Sequence, residues 1–286
     1  MINFLRKVQQ SSFIDEICCV STGRTGTNHL FTKLSACPEV AVHYEIFHPF
    51  SAYVNNQIRA YLLQKFSLDD EALKKLGKKN KRKLLKLLRD AREAFGDKQI
   101  MYKVFPNLRQ ISMSELERLI IRRRGVAVAL IVRNPLRIQL SFAKAKMLDS
   151  YVNVDTTDLK VELNAREVIE FAKEMGQMFQ ETARCCRKHS TPYVYVSYES
   201  LYESGGDALP AQIMVERLNE IVTPPIELSK DPEVPQFKQD KSSVSDSIKN
   251  YEEFAAQLSQ EGFGALLEDS TAYQEAIGIM EAGESC

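Results

Sequence analysis

The sequence predicts an α/β protein whose mostly parallel central sheet has about five strands, with helices on both faces. Strand-like and helix-like patterns alternate along the chain, as expected when each strand is followed by a crossover helix. The strand-like runs lie near residues 16–21, 40–44, 99–104, 126–132 and 192–197. The run from Val126 to Val132 is wholly apolar and rich in β-branched residues, which is typical of a parallel strand buried on both faces.

Helical periodicity fills the segments between these runs. The helical patterns cover about residues 27–36, 51–66, 69–95, 112–123, 135–149, 164–189, 208–221 and 246–259. We expect a single domain over residues 1–286, with a helical insertion at 51–98 that covers one side of the ligand crevice as a lid or a dimer arm. Pro224 and Pro225 open a loop and tail region, residues 224–286.

A glycine-containing turn follows the first strand. Residues 21–28 read Ser-Thr-Gly-Arg-Thr-Gly-Thr-Asn, and a helix-like pattern begins there. Such a strand–loop–helix unit presents backbone N–H groups and a helix N-terminus to an anion, so it is in outline a phosphate cradle. The Gly-Lys pair of a Walker A loop is missing, and the cation is Arg24, which can offer parallel N–H donors to phosphate or sulfate. The alternative is an ordinary turn whose arginine faces solvent.

A second anion-binding candidate lies at the end of the run 126–132. Arg133 and Asn134 follow that run, Pro135 suits the first turn of the next helix, and Ser141 lies two turns into it. Arg133 is thus placed at the carboxyl end of a central strand, where open α/β sheets bind their ligands. A metal-dependent phosphotransferase would need an acidic residue near this strand end, so kinase chemistry loses support.

Together the two motifs resemble those of sulfotransferases that use 3′-phosphoadenosine-5′-phosphosulfate (PAPS), in the style of bacterial carbohydrate-type enzymes. Residues 21–28 look like the 5′-phosphosulfate loop, Arg133 with Ser141 looks like the 3′-phosphate site, and Tyr198 is similar to a tyrosine near the adenine. The resemblance implies a P-loop-like three-layer fold, PAPS as donor, 3′-phosphoadenosine-5′-phosphate (PAP) as product, and no metal. The donor-binding residues that it implies are Gly23, Arg24, Thr25, Gly26, Thr27, Asn28, Arg133, Ser141, Tyr198 and, from a loosely matching loop, Lys241.

Transfer to a hydroxyl needs a general base, and three polar residues near the end of the run 40–44 compete for that role. They are His43, Glu45 and His48. The resemblance favours Glu45, because sulfotransferases with the arginine-type loop place a glutamate after their second strand. The histidine that cytosolic relatives use is replaced by Phe105. A solvated strand-end carboxylate is the alternative interpretation of Glu45.

Lys103 ends a further apolar run that begins after Gly96 and Asp97. The resemblance implies that Lys103 stabilises the charge that develops on the leaving phosphate, so that Glu45, Arg24 and Lys103 form the catalytic set. The alternative is a lysine that extends from a strand edge into solvent.

Composition and charge limit the class of partner. Lysine plus arginine and aspartate plus glutamate number 38 each, so no global field favours nucleic acid or a membrane. No apolar run is long enough to span a bilayer and no secretory leader is visible, from which we expect a cytoplasmic enzyme or a catalytic domain separated from its anchor. The six cysteines lack a zinc-binding spacing and are expected to be reduced thiols.

The insertion also contains a run of lysines and arginines between residues 74 and 89, interrupted by leucines at helical spacing. Such a run is usually the solvated face of an amphipathic helix, and a platform for an anionic acceptor or a lipid surface is the alternative. The expected partner is a hydroxyl-bearing small molecule, carbohydrate or lipid, and a homodimer stays open. The rival functions are a P-loop-like kinase and a non-catalytic nucleotide-binding module.

Overall fold

Five parallel strands form one sheet in the part of the chain that the computed structural model describes, which is residues 13–38, 40–149, 155–202, 210–228, 242–268 and 271–279. Their order across the sheet is β2-β3-β1-β4-β5. The strands are β1 (Glu16–Val20), β2 (Val40–Glu45), β3 (Gln99–Val104), β4 (Val126–Val132) and β5 (Tyr193–Ser197). The predicted α/β class, with a parallel sheet and helices around it, is confirmed.

The register places the ends of the three inner strands side by side. Val20 of β1 pairs with Val104 of β3 on one side and with Leu130 of β4 on the other. All strands point the same way, so the segments that follow β1, β3 and β4 meet at one edge of the sheet. Lys103 lies near the end of β3 and Arg133 follows β4, so the two residues flank the loop after β1 although they are distant in sequence.

Helices lie between the strands and continue after the last of them. They are α1 (Thr27–Leu34), α2 (Asn56–Phe66), α3 (Asp70–Lys79), α4 (Lys81–Phe95), α5 (Met113–Leu116), α6 (Pro135–Met147), α7 (Ala165–Lys188), α8 (Tyr198–Tyr202), α9 (Pro210–Asn219), α10 (Val244–Ser247), α11 (Tyr251–Gln260) and α12 (Tyr273–Ala276). Short 3₁₀ turns cover Pro106–Leu108 and Gly264–Leu267, and a π-type turn, Glu117–Ile121, continues α5.

Several predicted helices differ from the structure in their extent, and two of the differences arise at asparagines. The pattern over 69–95 is split into α3 and α4 at Asn80, whose φ of −145° leaves the helix and whose side chain accepts a hydrogen bond from the Lys83 N–H. The helix predicted over 51–66 begins only at Asn56, because Asn55 has non-helical backbone angles and its side chain caps α2 by accepting a hydrogen bond from the Gln57 N–H. Asparagine competes with the helix for backbone hydrogen bonds, so apolar spacing alone overlooks such boundaries. The pattern over 246–259 is also interrupted, because Ile248 is extended between α10 and α11.

The sheet is buried on both faces by separate hydrophobic clusters. Successive residues of β1 alternate between them: Cys18 lies in the cluster formed with α3, α4 and α7, and Cys19 lies in the cluster formed with α1 and α9. The helices α2 to α4 thus cover the same face as α7. Alternation of side chains across a strand accounts for this layering.

Ionic contacts hold the insertion to the amino-terminal edge of the sheet. Glu16 is fully buried and accepts hydrogen bonds from Tyr102, from Arg89 of α4 at 3.1 Å, and from Arg123. Removing one partner of such a buried network leaves an uncompensated charge, which is strongly destabilising. Arg89, although part of the basic run, is therefore a structural residue.

Candidate functional site

Side-chain hydrogen bonds to backbone carbonyls hold the loop after β1. The Ser21 hydroxyl donates to the carbonyl of Ile131 on β4 at 2.8 Å, and the Thr25 hydroxyl donates to that of Thr22 at 2.8 Å. Ser21, Thr22 and Thr25 are all buried. The loop is therefore fixed to the neighbouring strand before any ligand arrives.

The turn itself depends on left-handed backbone and on close approach. Arg24 has a φ of 66° and Gly26 a φ of 71°. A Cβ on Gly26 would collide with the ring of Tyr198, and one on Gly23 would come within 3.0 Å of the ring of Phe142. Gly26 precedes α1, and no side chain caps that helix, so its first-turn N–H groups are directed at the space before it.

Two arginines and a serine join the motifs that lie far apart in sequence. Arg133 donates a hydrogen bond from Nη1 to the carbonyl of Arg24 at 2.7 Å, across 109 residues. Arg24 in turn donates from Nε to the Ser141 hydroxyl at 2.9 Å. The Nε of Arg133 is buried and has no hydrogen-bond partner among the residues that the structure describes. The arrangement concentrates positive charge beside the glycine turn.

Aromatic rings form one wall of this cationic region. The guanidinium carbon of Arg133 lies 4.2 Å from the ring centroid of Tyr198, a cation–π distance. The Tyr198 ring also stacks on that of Tyr202 at a centroid distance of 4.4 Å. Tyr198 thus packs against Arg133, Tyr202 and the Gly26 turn, and it stays partly exposed.

Lys103 occupies a buried position on the other side of the loop. Its ammonium donates to the Thr27 hydroxyl at 3.2 Å and to the side-chain oxygen of Asn28, and it lies 3.8 Å from Oε1 of Glu45. Burial lowers the pKa of Lys103 to about 8, an effect that the nearby Glu45 carboxylate partly opposes. Lys103 is thus not the solvent-directed strand-edge lysine of the alternative interpretation.

The side chain of Gln110 orients Glu45. The Gln110 side chain donates from Nε2 to Oε2 of Glu45 at 2.7 Å, and its Oε1 accepts from the Phe105 N–H at 3.1 Å. That backbone donor determines which way the amide faces. Glu45, whose side chain is 16% exposed, is therefore held between Gln110 and Lys103 with access to solvent.

The two histidines that compete with Glu45 have different surroundings. His43 is fully buried, its Nδ1 accepts from the Asn55 N–H at 3.0 Å, and burial lowers its pKa to about 3. His43 thus has no access to solvent, whereas the Glu45 side chain does. His48 lies on the segment after β2, where its Nδ1 accepts from the Phe50 N–H at 3.3 Å.

The structure brings most of the predicted donor-binding residues to one edge of the sheet. Lys241 is the exception, because it lies outside the described residues. Whether each residue binds a donor stays a prediction.

Sequence reasoning missed Gln110 and the contacts of Glu199. Glu199 is buried, accepts from the Asn134 N–H at 3.0 Å and from the Tyr273 hydroxyl at 2.7 Å, and burial raises its pKa. It ties the ends of β4 and β5 to the C-terminal region. The resemblance of residues 193–199 to a sulfotransferase strand that ends in Tyr-Glu was a signal for Tyr198 and Glu199. Gln110 stands in no motif and becomes visible only in the folded chain.

The described part of the chain contains neither a membrane-spanning helix nor a cluster of metal ligands. Within the described ranges, no helix is both long and apolar enough to cross a bilayer. The same residues contain no group of three or more histidine, cysteine, aspartate or glutamate side chains placed to hold a metal ion.

No protein-family model and no curated protein sequence matches this chain. Among solved structures, a sulfotransferase from Alicyclobacillus acidocaldarius is similar over 92% of this chain and 95% of its own, with 12% identity and a TM-score of 0.49. A similarity at this level identifies neither family nor activity.

Proposed function

We propose that this protein transfers a sulfuryl group from PAPS to a hydroxyl of a carbohydrate, glycolipid or small metabolite. The observation that carries the proposal is the direct connection of the two anion-binding motifs, with Arg133 bonded to the Arg24 carbonyl at 2.7 Å and Arg24 bonded to Ser141 at 2.9 Å. PAPS bears a 5′-phosphosulfate and a separate 3′-phosphate, so it needs two neighbouring cationic sites in one crevice.

The hydrogen-bond donors of the site suit the anionic groups of PAPS. The buried Nε–H of Arg133 has no hydrogen-bond partner within the described residues. A 3′-phosphate would accept hydrogen bonds from this Nε–H and from the Ser141 hydroxyl. The loop N–H groups around Gly23 and Gly26, with Arg24, would hold the phosphosulfate. Tyr198 would contact the adenine.

The proposed reaction is one in-line displacement. The acceptor oxygen forms a bond to sulfur while the bond between sulfur and the bridging oxygen breaks, and that oxygen leaves with the electron pair as part of PAP. Glu45 takes the proton of the acceptor hydroxyl, for which Gln110 and Lys103 hold its carboxylate in place. Lys103 and Arg24 offset the negative charge that develops on the leaving group.

The donor is tested by thermal shift. PAP should raise the melting temperature of the wild-type protein more than an equal concentration of ATP with Mg²⁺ does, because only PAP engages both cationic sites. A larger shift with ATP and Mg²⁺ would favour the rival kinase. Incubation with PAPS and a panel of hydroxyl acceptors should then give products heavier by one sulfuryl group. PAP binding without transfer to any acceptor of the panel would favour a non-catalytic module.

We also place this enzyme in the cytoplasm. Cys18, Cys19, Cys37, Cys185 and Cys186 are buried and unpaired, which suits a reducing compartment. Fractionation of cells that express the protein tests this placement.

A further inference from the structure

An exposed cationic surface lies on the insertion, outside the donor site. We call it the basic hairpin; its members are exposed on α3 and α4, and none has an ion-pair partner among the described residues. They are Lys75, Lys78, Lys79, Arg82, Lys83 and Lys86. Nearby cations of the same run do have acidic partners: Lys74 pairs with Glu71 at 3.1 Å and Lys81 with Glu115 at 3.1 Å. The basic hairpin is thus a concentration of uncompensated charge in a chain of zero formal net charge.

The basic hairpin lies next to Glu45. A Cβ on Gly77 of α3 would come within 3.1 Å of the Ile46 carbonyl, so the helix packs directly on the residue after Glu45. Lys81, at the start of α4, places its ammonium 5.9 Å from the ring centroid of Phe47. Lys78 and Lys79 follow Gly77 immediately, and this places them at the carboxyl edge of the sheet, where the donor site lies.

Exposed aromatic rings share this neighbourhood. Phe50 is 76% exposed and Tyr53 is 47% exposed. The ring centroid of His48 lies 5.6 Å from that of Phe50 and 5.1 Å from that of Tyr53. The Tyr53 N–H donates to the Glu45 carbonyl at 3.3 Å, which ties the aromatic segment to the proposed base. The exposed rings and the turn between α3 and α4 therefore both lie against the segment that contains Glu45 and the two residues after it.

The two helices of the basic hairpin lack the exposed apolar side chains that a membrane-binding amphipathic helix has. The leucines of the hairpin point inward: Leu73, Leu84 and Leu88 are fully buried. A helix that binds a membrane surface inserts apolar side chains beside its cations, and none of the large exposed apolar residues lies between Phe66 and Phe95. Phe95 is at the far end of α4, about 21 Å from its start by helical rise.

We infer that the basic hairpin and the exposed rings of Phe50 and Tyr53 bind an acidic oligosaccharide as acceptor, an inference that rests on the proposed function. The carboxylate or sulfate groups of such a chain would pair with the cations, and the CH face of a sugar ring would pack on the aromatic rings. Each sugar unit carries hydroxyls, so a chain held along this surface presents an acceptor hydroxyl to Glu45.

The test compares two charge-reversed variants of the full chain. The hairpin variant is Lys78→Glu with Lys79→Glu and Lys83→Glu. The control is Lys146→Glu with Lys160→Glu and Lys249→Glu, which makes the same change in net charge on another exposed surface. Binding of a fluorescent oligogalacturonate, with neutral dextran of equal length as a blank, is measured by anisotropy, and PAP binding is measured by thermal shift.

We expect the hairpin variant to bind oligogalacturonate about tenfold or more weakly, the control to bind it like wild type, and both to keep the PAP shift. Equal loss in the two variants, or tighter binding of poly-glutamate or of phosphatidylserine vesicles than of oligogalacturonate, would overturn the inference. Wild-type protein that binds oligogalacturonate but shows no PAP shift would sink the proposed function and leave the basic hairpin as an oligosaccharide site.

Discussion

Arg133 donates a hydrogen bond from its guanidinium to the backbone carbonyl of Arg24, at 2.7 Å. Arg24 has left-handed backbone geometry, with a φ of 66°, which a residue with a side chain adopts at a cost. Arg133 thus has two consequences for the loop: it contributes positive charge beside it and holds the strained turn in place. The first motif acquires its shape through the second.

This relationship makes Arg133→Ala the most informative single change at the donor site. We expect PAP to bind about tenfold to a hundredfold more weakly, because the variant loses charge-assisted hydrogen bonds and the support of the Arg24 carbonyl. Titration calorimetry with PAP measures this effect. Arg118→Ala, which removes an exposed arginine from the π-type turn after α5, is the matched control and should bind like wild type. Equal affinities in Arg133→Ala and wild type would remove Arg133 from the site.

Glu45→Gln separates donor binding from turnover. The amide keeps the size of the side chain but cannot accept the proton of a hydroxyl, so transfer should slow by about 100-fold or more while the PAP thermal shift is retained. Product formation from PAPS, followed by mass spectrometry, gives the rate. Turnover at the wild-type rate would show that another group is the base.

Gln110 is a positioning residue for Glu45, and Gln110→Leu tests it. Without the amide donor at 2.7 Å the carboxylate loses one of its two orienting contacts, and we expect kcat to fall about tenfold with an unchanged PAP affinity. A purely structural role would lower the melting temperature and leave kcat of the folded enzyme intact. Gln57→Leu, at an exposed position in α2, controls for the loss of an amide.

The burial of Lys103 leads to a specific pH dependence. Its pKa is lowered from 10.5 to about 8, so its positive charge is complete below that pH and is lost as the pH rises through it. We expect kcat/KM, which reports the free enzyme, to fall above pH 8. Between pH 8 and pH 10.5 Lys103 is protonated in the unfolded chain but not in the folded chain. The contribution of Lys103 to the free energy of unfolding therefore rises with pH over this range. The activity loss should therefore occur without a loss of melting temperature, and a flat kcat/KM profile to pH 10 would contradict the assignment.

Gly26→Ala tests the close packing of the loop on Tyr198. The substitution adds backbone strain at a φ of 71° and a collision with the Tyr198 ring, for a combined loss of about 2–3 kcal/mol in the free energy of unfolding. Gly96→Ala is the control, since Gly96 has a φ of 74° but nothing within 4 Å of an added Cβ, and it should cost about 1 kcal/mol. Urea denaturation measures both, and equal losses would mean that the contact with Tyr198 carries no energy.

The sequence by itself determined the elements and their class. The apolar run Val126–Val132 is a local pattern, because burial on both faces of a sheet constrains consecutive residues. The glycine turn near Arg24 is a local pattern too, because one short segment forms the strand–loop–helix unit. Arg24 and Arg133 were named from such patterns, since each follows a strand, whereas the choice of Glu45 and the role of Lys103 came from the resemblance to sulfotransferases. Local pattern missed the break at Asn80, where a side-chain cap outcompetes helical periodicity.

Only the tertiary structure decided how these residues contact one another. The bond from Gln110 to Glu45 spans 65 residues, and that from Tyr273 to Glu199 spans 74, so no window of sequence contains both partners. The burial that lowers the pKa of Lys103, the isolation of His43, and the placement of the basic hairpin against Ile46 likewise arise from neighbours on other elements. Side-chain geometry and electrostatics depend on distance in space, and the order of the strands across the sheet brings these distant segments together.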